Sequence, residues 1–315
     1  MSEHFNQQDG VIDPSSAGSW NGVSSFGVPV LPPEMEGFQL CNPIGRGATG
    51  TVFRSVQTKE FAVKVVPWRR TNARKNARRE YETARLFAAC DKTIHALACY
   101  EYDSCSFILQ EIGEPIIDCF SKNPCTLRRL LQALLDISEA LSFIHSKGFT
   151  HFDVKPDNIL IIGNMAKLGD FSHCLHHDPD RLYQKPMGTR AYMAPEIVPG
   201  AGPSGLEDMY SLGVTMYVLL MAGSLPFEEQ RDQAEKKEIR SLFIHPDLLF
   251  VIQKATACDP ADRYQTFEDF SKDIRSFMDS NKDQLDETVP TYLSPIQREH
   301  TLSPFSDEST ASLDL

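Results

Sequence analysis

The sequence pattern of this chain changes once, near Gly113, and that change restricts the folds open to it. From Phe38 to Gly113, short strand-like runs surround one stretch whose apolar side chains repeat near a period of 3.6. After Gly113 the apolar spacing is mostly helical. Strands in the first part and helices in the second predict an α+β fold. The predicted strands are 51–56, 60–66, 97–102 and 106–110, and the predicted helices are 74–89, 126–145, 206–221, 248–257 and 267–278.

The two ends of the chain differ in composition from the part between them. Residues 1–36 are rich in Ser, Gly, Pro, Asn and Gln, and the residues after 279 are polar and acidic. Such segments bury too little apolar surface to offset the entropy cost of ordering. We therefore predict disordered ends at 1–36 and 280–315. The domain between them, 37–279, would have its N-lobe at 37–112 and its C-lobe at 113–279.

Composition argues against several classes of protein. The formal net charge of -12 is unlike that of a general nucleic-acid binder. No signal peptide and no apolar segment long enough to cross a membrane are visible. The eight cysteines lack paired spacing, which is typical of free thiols in a reducing compartment. We expect an intracellular, cytoplasmic protein that binds neither nucleic acid nor membrane. A basic cluster at residues 69–79 makes a nuclear location the alternative.

The short loop His151–Asn158 carries the strongest chemical signal. It holds Asp153, Lys155 and Asn158, and the apolar, strand-like run Ile159–Ile162 follows it. A carboxylate can act as a base towards a hydroxyl, a cation can bind a phosphate, and an amide can coordinate a metal ion, and here the three lie close together. The loop therefore predicts a site that handles phosphate.

This loop resembles the catalytic loop of protein kinases, and the surrounding motifs agree with that family in order and spacing. The resemblance implies a two-lobe fold with a β-rich N-lobe and a mostly helical C-lobe. It also implies a monomeric catalytic domain with ATP and Mg²⁺ in the cleft. The matching motifs are the glycine-rich loop Ile44–Val52, the lysine strand Phe61–Lys64, Asp170-Phe171-Ser172, Gly188-Thr189, Ala194-Pro195-Glu196, Asp208 with Tyr210–Gly213, and Arg263.

The resemblance implies an ATP site in the N-lobe. Lys64 would neutralise phosphate charge, and a carboxylate of the following helix, Glu80 or alternatively Glu82, would hold it in place. Backbone groups of Glu111 and Gly113 would bond the adenine edge. The glycines of the loop would let the backbone turn tightly and approach phosphate oxygens. The other expected ATP-site residues are Ile44, Gly45, Arg46, Gly47, Ala48, Thr49, Gly50, Thr51, Val52 and Ala62, with Gln110 at the back of the pocket.

For the reaction, the resemblance implies phosphoryl transfer to a protein hydroxyl. Asp153 would be the general base, or would orient the attacking hydroxyl, and Lys155 would balance charge on the transferred group. Asn158 and Asp170 would hold magnesium, which prefers hard oxygen ligands. The lysine two residues after the aspartate resembles the serine/threonine class, so the expected partner is a protein substrate bearing Ser or Thr. Asp157 predicts a preference for basic residues before the acceptor.

Two residues depart from the family pattern. Phe152 stands where an arginine commonly pairs with a phosphorylated activation segment, so such a phosphate would lack its best partner. Ser172 replaces a glycine, which tolerates positive φ better than serine does. The segment offers few hydroxyls, namely Ser172, Tyr183, Thr189 and Tyr192. Our hypothesis is that activity does not require phosphorylation of the activation segment.

Three further matches are expected to be structural: Glu196 and Arg263 as a bidentate pair, and Asp208 as a cap beneath the catalytic loop. Two other functions stay open. A pseudokinase would use the same fold for binding or scaffolding, although the complete nucleotide and metal set argues against it. A small-molecule kinase would share the Asp and Asn chemistry, but the segment that ends at Glu196 is typical of kinases that act on proteins.

Overall fold

The computed structural model describes residues 31–36, 39–47, 49–55, 60–122, 125–178, 182–183, 186–197, 201–227 and 239–289. A β-rich N-lobe and a mostly helical C-lobe confirm the predicted α+β class. Within these residues, no helix combines the length and apolar character that crossing a membrane requires.

The N-lobe is a five-stranded antiparallel sheet with one helix beside it. Its strand order is β1-β2-β3-β5-β4, so β3 lies at the centre. Five consecutive residues of β3, from Ala62 to Val66, are buried. Burial on both faces explains why this strand lacks the apolar–polar alternation of a half-exposed one. The elements are β1 Leu40–Arg46, β2 Thr51–Ser55, β3 Phe61–Pro67, α1 Ala73–Leu86, β4 Ala96–Tyr102 and β5 Cys105–Glu111.

The C-lobe is built around two long helices, α3 and α4. Thr126 caps α3 as predicted, because its side chain accepts a hydrogen bond from the Arg129 N–H. Gly148 follows the helix with a φ of 77°, a conformation that glycine adopts without strain. The helices are α2 Ile116–Lys122, α3 Leu127–Ser146, α4 Glu207–Leu220, α5 Pro246–Ala255 and α6 Phe267–Ser280. The strands are β6 Glu114–Pro115, β7 Phe149–Thr150, β8 Ile159–Ile162, β9 Met165–Leu168 and β10 Leu175–His176.

One hydrophobic core crosses from the N-lobe to the C-lobe. Phe87, just after α1, is fully buried at this crossing. Its ring makes edge contacts with Phe171 at 5.2 Å and Phe149 at 5.5 Å between centroids. Aromatic packing of this kind fixes the end of α1 against the residue that follows Asp170.

Contacts with the domain extend past both ends of the predicted range 37–279. Residues 280–289, expected to be disordered, return to the start of α3, where the Arg128 N–H donates to the Leu285 carbonyl at 2.8 Å. The Leu285 side chain is buried in the core, and near the other end Met35 packs against the N-lobe sheet. One apolar side chain anchors each polar segment. The rest of the predicted disordered ends lies outside the described residues.

Candidate active site

A buried lysine at the centre of β3 joins two carboxylates. Lys64 Nζ donates to Glu80 Oε1 at 2.7 Å and to Asp170 Oδ1 at 3.0 Å. Of the two acidic residues expected as its partner, Glu80 makes the pair, whereas Glu82 pairs with Arg78 on the exposed face of α1. Burial alone would lower the pKa of Lys64, but the two carboxylates raise it above its ordinary value. The lysine therefore stays charged.

The sequence of α1 explains why Glu80 points inward. Ala77, Thr83 and Ala84 are buried with it, and all four fall on one face of a helix with 3.6 residues per turn. Small neighbours let α1 lie close to the sheet, so the short glutamate side chain reaches Lys64.

The register of the sheet places four expected ATP-site residues on one face. Lys64 lies opposite Val52 of β2, and Ala62 lies opposite Gln110 of β5. Residues directly opposite each other, and residues two apart along a strand, share a face. Val52, Ala62 and Gln110 therefore lie on the side of the sheet where Lys64 meets Asp170.

The glycine-rich loop joins β1 to β2 and contains Gly45, Gly47 and Gly50. A Cβ at Gly50 would lie 2.4 Å from the Val65 carbonyl oxygen, so only glycine fits there. At Gly45 and Gly47 a Cβ would meet nothing closer than 3.9 Å, and neither residue has a positive φ. The predicted tight turn does not explain these two glycines, which instead leave open space. Ala48 lies outside the described residues.

The connection between the lobes, expected to hold adenine, begins at Glu111. Its N–H donates to the His95 carbonyl at 3.0 Å, so this N–H is already engaged within the protein. Its carboxylate accepts from Lys167 Nζ at 2.9 and 3.0 Å. A Cβ at Gly113 would lie 2.7 Å from the Leu160 Cβ, so glycine lets this connection pack closely on β8.

In the catalytic loop, Asp153 is buried at the centre of a hydrogen-bond network. Its Oδ1 accepts from the Thr189 N–H at 2.9 Å and the Thr189 hydroxyl at 2.7 Å. Its Oδ2 lies 2.9 Å from Lys155 Nζ and 3.0 Å from Asn158 Nδ2. Burial raises the pKa of Asp153, but Lys155 and Thr189 outweigh it and hold the pKa below its ordinary value. Asp153 is therefore ionised near neutral pH.

Thr189 was not predicted as a site residue. Its hydroxyl also accepts from Lys155 Nζ at 2.6 Å, so it links Asp153 to Lys155. The available signal was its place after Gly188, in a motif that matches the family pattern but was not assigned a contact with Asp153.

Asn158 and Asp170 leave oxygen atoms that suit magnesium. Asn158 uses its Nδ2 to bond the Asp153 carbonyl and carboxylate, which leaves Oδ1. Asp170 uses Oδ1 to accept from Lys64 and the Ser172 N–H, and about 33% of its side chain is exposed. Two hard oxygen donors fit magnesium, which keeps several of its waters. The positive φ of 59° falls on Asp170, so the strain considered for Ser172 is absent.

Asp208 holds the catalytic loop from beneath. Its carboxylate accepts from the His151 N–H at 2.7 Å and the Phe152 N–H at 2.8 Å, as the predicted cap would. Burial raises the pKa of Asp208, but the neighbouring histidines lower it below its ordinary value. His151, which the sequence analysis did not select, is fully buried; its Nδ1 accepts from the Asp153 N–H and its Nε2 bonds the Gly169 carbonyl.

A family profile for the protein kinase domain matches residues 38–288. The chain belongs to the protein kinase family. It is 32% identical over 211 residues to the bovine (Bos taurus) phosphorylase b kinase gamma catalytic chain, liver/testis isoform, a match covering 60% of this chain and 51% of that protein. It is 30% identical to serine/threonine-protein kinase pkn2 of Myxococcus xanthus, covering 61% and 25%. The corresponding match to PknB of Mycobacterium tuberculosis is 30%, covering 49% and 27%. The matched part thus spans about half or less of these relatives.

In this kinase domain, Phe152 anchors the activation segment by apolar packing. It adopts a φ of 67° and is buried. Its ring meets the Tyr183 ring edge-on with centroids 5.9 Å apart, and the Tyr183 hydroxyl donates to Glu207 Oε1 at 2.8 Å. The cluster around this pair also contains Ala194, Ile197, Tyr210, Val214 and Val218. An aromatic contact thus occupies the position at which an arginine commonly pairs with a phosphorylated activation segment.

The end of the activation segment is fixed by an ion pair. Arg263 donates to both oxygens of Glu196, at 2.6 and 2.8 Å, in the predicted bidentate geometry. The arginine side chain is fully buried and also donates to the carbonyls of Ala257 and Leu206. Its hydrogen bonds are thereby satisfied, as a buried charge requires.

Proposed function

We propose that the chain transfers the γ-phosphoryl group of ATP to serine or threonine hydroxyls of protein substrates. The observation that carries this proposal is the meeting of two charged networks in one cleft. Lys64, Glu80 and Asp170 form one of them. Asp153, with Lys155 and Asn158, forms the core of the other.

Each residue has a role that follows from its contacts. The ionised Asp153 orients the acceptor hydroxyl and takes its proton, and Lys155 beside it stabilises charge on the transferred group. Lys64, held by Glu80, neutralises phosphate charge. Asn158 and Asp170 would hold magnesium, which supplies further charge neutralisation. Phosphoryl transfer depends mainly on positioning and electrostatics, so this set of groups is sufficient in kind.

Our proposal includes activity without phosphorylation of the activation segment. Tyr183 is buried, with its hydroxyl bonded to Glu207, and the Thr189 hydroxyl is engaged by Asp153 and Lys155. These contacts support the proposal that the activation segment is positioned without an added phosphate. A phosphatase-treated sample should keep its full rate. Loss of the rate on this treatment, with recovery after rephosphorylation, would overturn this part of the proposal.

The direct test of the activity is transfer of labelled phosphate from ATP to a generic basic protein. Asp153→Asn should lower the rate by about 10²- to 10⁴-fold, the usual contribution of a positioned general base. Asp283→Asn is the matched control, because Asp283 is an exposed aspartate that belongs to neither charged network. Equal incorporation by wild type and Asp153→Asn would favour the alternative of a pseudokinase that binds or scaffolds.

A further inference from the structure

A cavity of about 760 Å³ opens between the glycine-rich loop, the start of α1 and the activation segment. Gly47 and Thr49 line it from the loop, and Phe152 and Gly188 line it from beside the catalytic loop. Residues of the turn that follows β3 complete its rim. The proposed transfer reaction uses none of these rim residues.

Positive charge exceeds negative charge in the described lining of this cavity. Arg69, Arg70 and Arg79 line it together with His173, His176 and His177. The acidic residues among its described lining are Glu80, which is committed to Lys64, and Asp178, which has an interaction partner of its own. Within the described residues, none of the three arginines makes an ion pair with a carboxylate.

The arginines have donors to spare. Arg69 and Arg70 are exposed, and within the described ranges neither pairs with a carboxylate. Arg79 donates from one nitrogen to the Ser172 carbonyl at 3.1 Å, and its other guanidinium nitrogens make no hydrogen bond to the described residues. A guanidinium presents five N–H donors in a fork that matches carboxylate and phosphate oxygens.

The cavity reaches the proposed base. His173 lines it, and His173 Nδ1 lies 3.9 Å from Asp153 Oδ2. A Cβ on Gly188 would lie 3.7 Å from Asp153 Oδ1. A peptide that presents a hydroxyl to Asp153 advances by about 3.3 Å per residue in extended form. Side chains only a few residues from the acceptor are therefore within reach of this cavity.

We propose that this cavity is a substrate subsite for an anionic side chain near the acceptor hydroxyl. The inference rests on the proposed phosphoryl transfer. The anion is the carboxylate of Asp or Glu, or the phosphate of a residue phosphorylated earlier, and Arg69, Arg70 and Arg79 determine the specificity. Asp157 does not line the cavity. The basic preference expected from that aspartate therefore concerns a different position of the same substrate.

The test uses peptides with one serine in a neutral background. Alanine, aspartate, phosphothreonine or lysine is placed in turn at each position from about four residues before the serine to about four after it. At one position or more, aspartate or phosphothreonine should raise kcat/KM about five- to tenfold over alanine, as one or two arginine–anion pairs would. A larger gain for phosphothreonine than for aspartate identifies phosphate as the preferred anion, and the reverse identifies a carboxylate.

Variants decide whether the arginines are responsible. The double variant Arg69→Ala/Arg70→Ala should lose most of the acidic preference, and Arg69→Glu/Arg70→Glu should shift the preference to lysine at the same position. Arg78→Ala is the matched control, because Arg78 is an exposed arginine of α1 that pairs with Glu82 and does not line the cavity. It should keep the wild-type preference.

The possible outcomes separate this subsite from the proposed activity. Equal kcat/KM for aspartate, phosphothreonine and alanine at every position overturns the subsite while phosphoryl transfer stands. An acidic preference that survives in Arg69→Ala/Arg70→Ala also overturns it. Absence of transfer to every peptide and to the generic basic protein overturns the proposed activity, and the subsite with it.

Discussion

Two adjacent residues of the catalytic loop contact the activation segment, one through polar and the other through apolar interactions. Asp153 points into a polar network with Lys155, Asn158 and Thr189. Phe152, one residue earlier, packs into an apolar cluster beneath the segment. Its φ of 67° turns the backbone between them, and the buried Asp208 holds that strained turn through two N–H groups.

The difference shows that the proposed reaction and the position of the activation segment depend on different kinds of interaction. Charge is concentrated where the proposed reaction needs it, and apolar packing holds the segment in place. A phosphate-dependent anchor would require a cation at the position of Phe152. Here the aromatic pair of Phe152 and Tyr183 takes that place, and the spare cations lie in the adjoining cavity. The proposed anchor therefore depends on burial rather than on a modification.

The largest effect should follow from Lys64→Met, which tests the polar side of the comparison. It removes the cation from the cleft, so we expect at least about a hundredfold loss of rate, as when one electrostatic donor is removed from an active site. Glu80 then stays buried without its partner, which should cost about 3 kcal/mol of unfolding free energy. Initial rates and denaturant unfolding measure the two effects.

A double variant separates catalysis from stability in the same network. Lys64→Met/Glu80→Gln removes the uncompensated charge, so it should regain most of the lost stability while staying inactive. If the double variant regained its rate as well, Lys64 would be a structural residue only.

The sequence was sufficient to predict the parts of this fold that depend on local pattern. The strands β2 to β5 and the helices α3 to α6 begin and end within a few residues of the predictions, because their periodicity, caps and glycine stops are local signals. Lys64, Asp153, Asn158 and Asp170 could likewise be selected from the order of their motifs.

Contacts between distant parts of the chain could not be predicted this way. Thr189 bonds Asp153 across 36 residues, and His151 bonds Gly169 across 18, so neither role is visible in a local motif. Leu285 is one apolar residue within a polar segment, and only the folded C-lobe supplies the site that buries it. The basic cavity likewise joins the turn after β3 to the activation segment.

Phe152→Ala tests the apolar side of the comparison with a smaller expected effect on the rate. Truncating a buried phenylalanine costs about 3 kcal/mol, and loosening the segment should also lower the rate of phosphoryl transfer. Phe152→Leu, which keeps most of the apolar volume at the same backbone angle, is the control and should lose far less stability. The apolar anchor would be disproved if Phe152→Ala unfolded at the same denaturant concentration as wild type.

Tyr183→Phe should have the smallest effect, because the ring stays against Phe152 and only the hydrogen bond to Glu207 is lost. We expect a loss of about 1 to 2 kcal/mol of unfolding free energy at neutral pH. Burial and then Glu207 raise the pKa of Tyr183 above its ordinary value. A raised pKa gives stability that is fully present below the ordinary tyrosine pKa of about 10 and is lost as the pH rises above it. The difference in unfolding free energy between wild type and Tyr183→Phe should therefore narrow above about pH 10. A difference that stays constant or widens over that range would show that the hydroxyl is not bonded in the folded state.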